Sequence, residues 1–287
     1  MTYKQSNMLF DSIHTLHIEP TTVCNAACPQ CARETDILFD HNNQVHLTVD
    51  QIQSLIPTSV LKKLKKVYFC GVYGDPAAGH NTLDIAKFFR TYNSEIVLGM
   101  NTNGSLQNTQ WWKNLAKIWN RPEDYVVFSI DGLEDTNHLY RRNTDFHKIV
   151  SNAQAFINEN GQAHWDMLVF EHNEHQVSDA LDLANSLGFK WFRQKVTRRF
   201  DTHTVAWLQP PKSLISNTIA SYQVLCQAEQ EQSLYISAQG HIHACCWMAA
   251  KHQNVKHWVN HDFNHSVCQS TCKTQFKNQW LKEIELQ

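Results

Sequence analysis

The chain has 287 residues, of which 42% are hydrophobic and 18% charged, and its formal net charge is −2. A globular chain of this length buries about three quarters of the surface that it exposes when unfolded, so a large domain with a small one fits. The charge argues against a general surface for nucleic acid or anionic membranes, because sequence-independent binding to phosphates needs an excess of basic residues.

The N-terminal residues are polar and contain no apolar signal-peptide core, and no later stretch is long and apolar enough to span a bilayer. We therefore expect a cytoplasmic protein without a membrane partner. The nine cysteines should stay reduced in that compartment, which disfavours a disulfide framework.

Apolar, β-branched or aromatic runs alternate with helical patterns through the first two thirds of the chain. The predicted strands are 14–19, 66–70, 95–100, 125–130, 164–170 and 189–196. The clearest predicted helices are 83–89, 111–119, 146–157 and 177–187. Six βα units predict an α/β fold in which a parallel sheet curls into a partial (β/α)6 barrel over residues 1–215. The ligand site of such a fold lies at the C-terminal ends of the strands.

A cysteine array, C-x3-C-x2-C, directly follows the first predicted strand and consists of Cys24, Cys28 and Cys31. Thiolates favour iron-sulfur clusters or zinc, and a structural zinc site normally takes four protein ligands. Three cysteines therefore suggest a 4Fe-4S cluster with one open iron, although zinc with a distant histidine remains an alternative. The array resembles the signature of the radical S-adenosylmethionine (SAM) enzymes, in which SAM chelates the open iron. Gln30 replaces the family's usual aromatic residue, so we expect adenine contacts from the backbone, with the Gln30 amide as an addition.

The second predicted strand runs into a turn, Gly71-Val72-Tyr73-Gly74-Asp75-Pro76, whose backbone can approach a ligand closely. Such a turn can also be purely structural. It resembles the Gly-Gly-Glu-Pro motif of the same family, which implies that Gly74, Asp75 and Pro76 hold the SAM amino group. Tyr73 replaces the first glycine of that motif and Asp75 its glutamate. We therefore expect the turn to contact SAM through a backbone carbonyl group.

Polar side chains stand where the third and fourth predicted strands end, and they are costly to bury unpaired. Turn and helix-cap roles are the structural alternative. The fourth strand resembles the Ser-Ile/Leu-Asp-Gly stretch of the SPASM/Twitch branch of radical SAM enzymes, which implies SAM ribose and carboxylate contacts. The resulting candidates for SAM binding are Asn101, Asn103, Ser129, Asp131 and Arg141. We assign the carboxylate to Arg141 because a planar guanidinium suits it, with adjacent Arg142 as the rival.

A second cysteine constellation lies in residues 216–287, which we predict to form a small α+β domain. Its members are Cys226, Cys245, Cys246, Cys268 and Cys272, and four residues separate Gly240 from Cys245. A zinc knuckle with four cysteines is the structural alternative. The spacing resembles the C-x(9-15)-G-x4-C opening of SPASM and Twitch domains, which implies one auxiliary 4Fe-4S cluster.

The resemblance implies Cys226, Cys245, Cys268 and Cys272 as the auxiliary ligands. Cys246 is left over and can replace Cys245, fill a buried position, or supply a hydrogen atom to a substrate radical. We predict a single strand over 234–244, on which His241 and His243 are surface residues or support the ligands.

The resemblance implies an enzyme in which the reduced first cluster splits SAM and the resulting 5'-deoxyadenosyl radical abstracts hydrogen from a substrate C–H bond. The auxiliary cluster would accept the remaining electron, making the protein an oxidoreductase or maturase. Implied partners are a peptide or small-molecule substrate and a flavodoxin- or ferredoxin-like electron donor, without nucleic acid. Because the first strand begins near His14, we expect no leader-binding domain before it, which lowers the weight of the peptide class. The competing class is a non-catalytic zinc-binding interaction protein.

Overall fold

The computed structural model describes residues 10, 12–197, 199, 205–213, 224, 226–252, 264–272 and 282–286. Its strands are β1 (Thr15–Ile18), β2 (Lys66–Phe69), β3 (Val97–Thr102), β4 (Tyr125–Ser129), β5 (Ala163–Leu168), β6 (Trp191–Lys195), β7 (Ser233–Ile236), β8 (Ile242–His243) and β9 (Lys282–Glu285). No helix in this part of the chain is both long and apolar enough to cross a membrane.

The helices lie largely between the strands. They are α1 (Ala32–Thr35), α2 (Val49–Leu55), α3 (Thr58–Leu61), α4 (Thr82–Tyr92), α5 (Thr109–Ala116), α6 (Asn137–Tyr140), α7 (Phe146–Ile157), α8 (Val177–Ser186), α9 (Gln227–Gln230), α10 (Cys246–Ala250) and α11 (Ser266–Thr271). Short 3-10 turns occur at Pro76–Ala78 and Glu174–Gln176.

The chain divides into two compact units that interleave along the sequence. The first comprises Met1–Val23, Asp40–Gly99 and Ala220–Gln275, and the second comprises Cys24–Phe39, Met100–Ile219 and Phe276–Gln287. The assignment of 216–287 to a separate domain stays a prediction.

The first unit is built on β1. This strand pairs in parallel with β2, where Thr15 lies opposite Lys66, and with β7, where Ile18 lies opposite Ile236. Leu16 on β1 is completely buried, and burying such a side chain contributes about 1.5–3 kcal/mol to folding. β7 also pairs antiparallel with β8. Within the described residues, the C-terminal segment thus adds β7 and β8 beside β1 of the first unit.

The second unit contains the parallel strands β4, β5 and β6, with β9 antiparallel beside β6. Phe128, Trp165 and Phe192 lie opposite one another in register and are completely buried. Trp112 of α5 and Phe156 of α7 contact Phe128, with ring centroids 5.1 and 6.4 Å away. Helices therefore cover this apolar face. The next residues along the three strands, Ser129, Asp166 and Arg193, lie on the opposite face, which we call the polar face.

Helix ends follow local capping signals. The Asp145 side chain accepts a hydrogen bond from the Lys148 backbone at the start of α7, which spans the predicted residues 146–157. The Thr48 and Gln51 side chains form a capping box at α2, a helix that was not among the predicted elements. All six predicted strands are found, and every strand end lies within two residues of its predicted position.

The prediction of one strand over 234–244 is wrong. β7 ends at Ile236, and Gly240, with a φ of +78°, lies in the reversal that leads into β8. The Ser237 backbone N–H donates to the His241 carbonyl across this reversal at 2.9 Å. A positive φ favours glycine because it lacks a Cβ atom, so the glycine of the cysteine motif makes a hairpin here.

Candidate functional site

The loop containing Cys24, Cys28 and Cys31 belongs to the second unit and is tied down by backbone hydrogen bonds. The Ala27 N–H donates to the Arg142 carbonyl at 3.1 Å, and the Cys31 N–H to the Cys28 carbonyl at 2.9 Å. The Ala26 N–H donates to Cys24 Sγ at 3.3 Å. Such N–H···S bonds stabilise a thiolate, which is the form that binds metal.

The loop packs into an apolar cluster. Cys28 is buried together with Ala26, Tyr140, Phe170 and Leu208, while Cys24 and Cys31 pack against the same residues. Burial raises the pKa of the Cys28 thiol to about 11, although the Arg141 guanidinium opposes the shift. The loop is therefore bordered by apolar side chains on this side.

Arg141 contacts both the cysteine loop and Asp131. Its Nε donates to Asp131 Oδ2 at 2.6 Å, and its Nη1 to Cys28 Sγ at 3.8 Å. Burial raises the pKa of Asp131, while Arg141 and the N–H of Leu168, which donates to Oδ1 at 2.7 Å, lower it. Both oxygens of Asp131 are therefore engaged inside the protein, where they hold Arg141 beside Cys28. The Arg142 guanidinium instead lies over the Trp207 ring, 5.4 Å from its centroid.

Two further sequence candidates also lie at the loop. Asn103 Nδ2 donates to Asn25 Oδ1 at 2.9 Å and contacts Cys24 Sγ at 3.7 Å. Gln30 is completely buried, and its backbone carbonyl accepts a hydrogen bond from Arg199 Nη1. Asn103 can orient the loop, and the Gln30 backbone is anchored by a distant arginine.

Asn101 and Ser129 stand on the strands of the second unit. Asn101 Oδ1 is buried and accepts no hydrogen bond from any residue that the structure describes. An acceptor of this kind is costly unless a bound molecule or water satisfies it. Ser129 is half-buried and lies in register with Asp166 on the polar face.

The polar face also carries a charged group that sequence reasoning missed. The Asp166 carboxylate accepts hydrogen bonds from Arg193 Nε and Lys195 Nζ. Arg193 Nη1 additionally lies 3.8 Å from the carboxylate of Glu283 on β9. The sequence signal for this group was the presence of charged residues within apolar strands, with Arg193 and Lys195 two residues apart on β6 and therefore on the same face.

In the first unit, the turn after β2 is packed tightly around its glycines. A Cβ atom on Gly74 would lie 1.9 Å from the Thr21 carbonyl oxygen, so no larger residue fits. The Asp75 N–H donates to the Val23 carbonyl at 2.8 Å. Asp75 Oδ1 accepts from the Ala77 N–H at 2.9 Å and thereby caps the 3-10 turn that begins at Pro76. The Asp75 side chain thus stabilises the turn itself, and the backbone contact with SAM stays a prediction.

Glu19 is a buried carboxylate of the first unit that the sequence analysis did not single out. It is 1% exposed, and its Oε1 accepts from the N–H groups of Tyr73 and Gly74 at 2.7 and 3.1 Å. Its Oε2 accepts from the Tyr235 hydroxyl at 2.6 Å. Burial raises the pKa of Glu19, and these hydrogen bonds oppose the shift.

The C-terminal cysteines lie in the first unit. Cys268 is buried with Met248 and Val267, and Cys245 packs against the same cluster. Cys272 follows one helical turn after Cys268, and its N–H donates to the Cys268 carbonyl at 2.8 Å. Two of the four predicted auxiliary ligands are therefore adjacent on one helix end.

Cys226 and Cys245 each precede a short helix. Burial raises the pKa of Cys245, backbone N–H groups of α10 lower it, and the nearby Cys226 thiolate raises it. Burial likewise raises the pKa of Cys226, and N–H groups of α9 lower it. Burial also raises the pKa of the Cys246 thiol, which has Cys70 and Glu19 as neighbours in addition to Cys245. Cys246 thus faces the Glu19 region.

Among the residues that the structure describes, no three His, Cys, Asp or Glu side chains form a group that could hold a metal ion. The donor types still fit iron-sulfur clusters. The cysteine loop offers thiols with an N–H donor at Cys24 and a guanidinium at Cys28, and the C-terminal set offers thiols with N–H donors at Cys226 and Cys245.

The sequence matches the family model of the Radical SAM superfamily over residues 18–184. This range includes the cysteine loop, the glycine turn and strands through β5. Among curated proteins, none matches the chain.

Solved structures share the fold. Streptococcus suis SuiB bound to the precursor peptide SuiA has a TM-score of 0.62 at 12% identity, covering 90% of this chain and 65% of SuiB. SuiB bound to S-adenosylmethionine has a TM-score of 0.60 at 13% identity, covering 93% and 69%. Histidine-tagged anSMEcpe with bound AdoMet has a TM-score of 0.50 at 22% identity, covering 62% and 48%. The chain therefore spans about two thirds of SuiB and about half of anSMEcpe.

Proposed function

Because the chain belongs to the radical SAM superfamily, whose family model covers residues 18–184, we propose that it binds and reductively cleaves S-adenosylmethionine at a 4Fe-4S cluster. Cys24, Cys28 and Cys31 are the ligands of that cluster. The main structural support is the contact of Arg141 with Cys28, a carboxylate-binding group beside one of the three cysteines.

When bound, the reduced cluster supplies the electron that splits SAM into methionine and a 5'-deoxyadenosyl radical. The chain's own residues bind and orient SAM. Arg141, held by Asp131, takes the carboxylate of SAM with its remaining N–H groups. Asn101 Oδ1 accepts a hydrogen bond from a SAM hydroxyl or amine, and Ser129 offers a hydroxyl on the same polar strand ends. The support for these roles is the buried acceptor of Asn101 and the engaged carboxylate of Asp131.

The turn with Gly74, Asp75 and Pro76 binds the ammonium group of SAM through backbone carbonyl oxygens. The position of this turn within the residues that the family model matches supports this role, and the small size of Gly74 lets the turn pack against the Thr21 carbonyl. Gln30 and Asn103 complete the set by shaping the loop, Gln30 through its anchored backbone and Asn103 through its contact with Cys24.

The C-terminal segment holds an auxiliary 4Fe-4S cluster of the Twitch type, with Cys226, Cys245, Cys268 and Cys272 as ligands. The charge interaction between Cys226 and Cys245 and the shared packing of Cys245 and Cys268 support this set. Cys246 faces the Glu19 region, which favours Cys245 as the ligand. A cluster held by these four thiols would supply an acceptor for the electron of the substrate radical, which would make the net reaction an oxidation.

The substrate is a peptide or a small molecule. The complex of SuiB with its precursor peptide supports the peptide class at the level of a shared fold. The polar face of the second unit supplies groups that bind this substrate. Ser129, Asp166 and Arg193 lie opposite one another on β4, β5 and β6, and Lys195 lies two residues after Arg193 on β6. A flavodoxin- or ferredoxin-like protein supplies the electrons in the cytoplasm.

The decisive experiment is anaerobic purification and reconstitution, followed by iron, sulfide and zinc analysis and incubation with SAM and dithionite. We expect a brown protein with about eight irons that forms 5'-deoxyadenosine. A colourless protein with bound zinc and no cleavage product would overturn the proposal in favour of a zinc-binding interaction protein.

Replacing Arg141 with alanine should weaken SAM binding by about 1.5–3 kcal/mol, the contribution of a hydrogen bond to a charged group, while about four irons stay on the loop. Calorimetric titration of the anaerobic protein measures this change. Arg142→Ala is the matched control, because the Arg142 guanidinium lies over Trp207 and not at Cys28.

Removal of Arg141 also leaves the Asp131 carboxylate buried without its cation, which is destabilising in itself. The double variant Arg141→Met with Asp131→Asn removes this unpaired charge. Weak SAM binding in both the single and the double variant assigns the loss to Arg141. Unchanged affinity in Arg141→Ala, or an equal loss in Arg142→Ala, would contradict the assignment.

A further inference from the structure

A buried group centred on Glu19 connects three segments of the first unit that lie far apart in sequence. We call Glu19, Tyr73, Gly74 and Tyr235 the Glu19 group. Four donors converge on one carboxylate. The N–H groups of Tyr73 and Gly74 donate to Oε1, the Tyr235 hydroxyl donates to Oε2, and the Val72 N–H also donates to the carboxylate. Burying a carboxylate costs several kcal/mol, so these hydrogen bonds are needed to keep it there.

The Glu19 bonds determine which way the carbonyl groups of the turn point. The described peptide bonds are trans, and in a trans peptide the N–H and C=O groups point in opposite directions. Since the Tyr73 N–H points to Glu19, the Val72 carbonyl of the same peptide points away from it. The Gly74 N–H likewise directs the Tyr73 carbonyl away from Glu19. Two successive carbonyl oxygens thus face opposite to the buried carboxylate.

The Glu19 side chain is held in turn by β7. Tyr235 lies opposite His17 in the parallel register of β1 and β7, and their rings are in edge contact with centroids 4.9 Å apart. Burial lowers the pKa of His17 to about 4, so near neutral pH the imidazole is uncharged and its Nε2 can donate to the Cys70 carbonyl at 2.8 Å. Cys70 directly precedes the turn. The turn is therefore anchored at its entry by His17 and at its middle by Glu19.

We propose that Glu19 is a positioning residue for SAM: it directs the carbonyl oxygens of the glycine turn towards the SAM ammonium, and Tyr235 of β7 holds Glu19 in place. This inference rests on the proposed function, because it takes the turn as the ammonium site. Its consequence is that the C-terminal segment completes the SAM site through a hydroxyl group. SAM affinity then depends on a residue ten positions before Cys245, outside the region that the family model covers.

Glutamine does not reproduce the Glu19 bonds. The carboxylate accepts with both oxygens, whereas a glutamine amide has one oxygen and an NH2 group that only donates. In Glu19→Gln, the amide oxygen can keep backbone N–H bonds only if the Tyr235 hydroxyl turns to accept from the NH2 group, and every remaining bond loses the strength that the carboxylate charge gives it. Tyr235→Phe is milder, since it removes one hydroxyl and leaves the backbone bonds to the charged carboxylate in place. We therefore expect both variants to weaken SAM binding, Glu19→Gln more than Tyr235→Phe.

The test uses the cluster-loaded protein and its variants Glu19→Gln and Tyr235→Phe. We expect the dissociation constant of SAM, measured by anaerobic equilibrium dialysis, to rise about tenfold or more in Glu19→Gln and about two- to fivefold in Tyr235→Phe. The KM for SAM in substrate-free cleavage should rise by the same factors, with kcat within about twofold, because the cluster and its ligands are unchanged. Tyr92→Phe on α4 is the matched control and should leave both constants unchanged.

A second readout needs no activity. Amide hydrogen exchange in peptides that cover Tyr73 and Gly74 should be faster in Glu19→Gln than in the wild-type protein, with Tyr235→Phe between them and Tyr92→Phe equal to the wild type. If Glu19→Gln does not fold, the SAM affinity and the amide hydrogen exchange of Tyr235→Phe decide whether the Glu19 group positions the turn.

The outcomes separate the inference from the proposed function. Wild-type protein that binds SAM, with unchanged affinity in a fully loaded Tyr235→Phe and Glu19→Gln, would overturn the positioning role and leave the enzyme assignment intact. A loss of stability in the variants with unchanged SAM affinity would assign Glu19 to folding alone and overturn it as well. Wild-type protein that binds no SAM would overturn both.

Discussion

Simultaneous replacement of Cys24, Cys28 and Cys31 by alanine should remove about four irons per chain and abolish the formation of 5'-deoxyadenosine. The three thiols are the whole protein ligand set of the first cluster in the proposed function. Without them no reduced metal centre can deliver an electron to SAM, so the expected loss is complete and not graded. Iron analysis and chromatographic detection of 5'-deoxyadenosine after incubation with SAM and dithionite measure the two effects.

The fold should survive this change. Alanine is small and apolar, and it can replace Cys28 within the cluster of Ala26, Tyr140, Phe170 and Leu208 at the cost of one buried sulfur atom. The triple variant should therefore retain the other set of about four irons. Cys70→Ala is the control for loss of a thiol outside both sets and should keep about eight irons. Product formation at the wild-type rate in the triple variant would refute the enzyme assignment.

Replacement of Cys268 and Cys272 by alanine should remove the second set of about four irons and leave the first set in place. The two cysteines lie one helical turn apart at α11, so the change removes half of the auxiliary ligands at one site. SAM cleavage should continue at the loop of the second unit. Conversion of the true substrate should fail, because the acceptor for its electron is gone.

Stability should also change in this variant, since small cysteine-rich segments draw much of their stability from metal ligation. We expect limited proteolysis to attack the segment after β8 first, while β7 stays protected by its parallel pairing with β1. Cys246→Ala is the matched control and should keep about eight irons. A decrease to about four irons in that control would move the ligand role from Cys245 to Cys246. About four irons in the reconstituted wild type, together with one zinc, would indicate a structural knuckle instead.

Much of the secondary structure was predictable because its signals are local. The helix over 146–157 follows from a capping aspartate and a regular apolar spacing, and both lie within one window of the sequence. The failure at 234–244 has an equally local cause. Gly240 interrupts an apolar run, and its φ angle decides whether the residue continues a strand or reverses the chain. In the structure φ is positive, and the chain reverses so that β7 and β8 pair antiparallel.

Placement of the single residues was less predictable. Arg141 and Arg142 are adjacent in the sequence and equivalent in charge, so only the packed structure separates them, one at Cys28 and the other over Trp207. The Asp131 carboxylate resembled a ligand-binding group in the sequence. In the fold it accepts hydrogen bonds from Arg141 and the Leu168 backbone, because a buried charge requires such partners.

The superfamily was predictable from local sequence, since the three thiols of the cysteine loop are close together along the chain and their spacing specifies their chemistry. The groups that hold the glycine turn became apparent only in the folded chain. Glu19 and Tyr235 are 216 residues apart, and no local pattern links a carboxylate next to β1 to a hydroxyl on β7. Their bond exists because the two strands pair in parallel, and strand pairing depends on the whole sheet and not on any one segment.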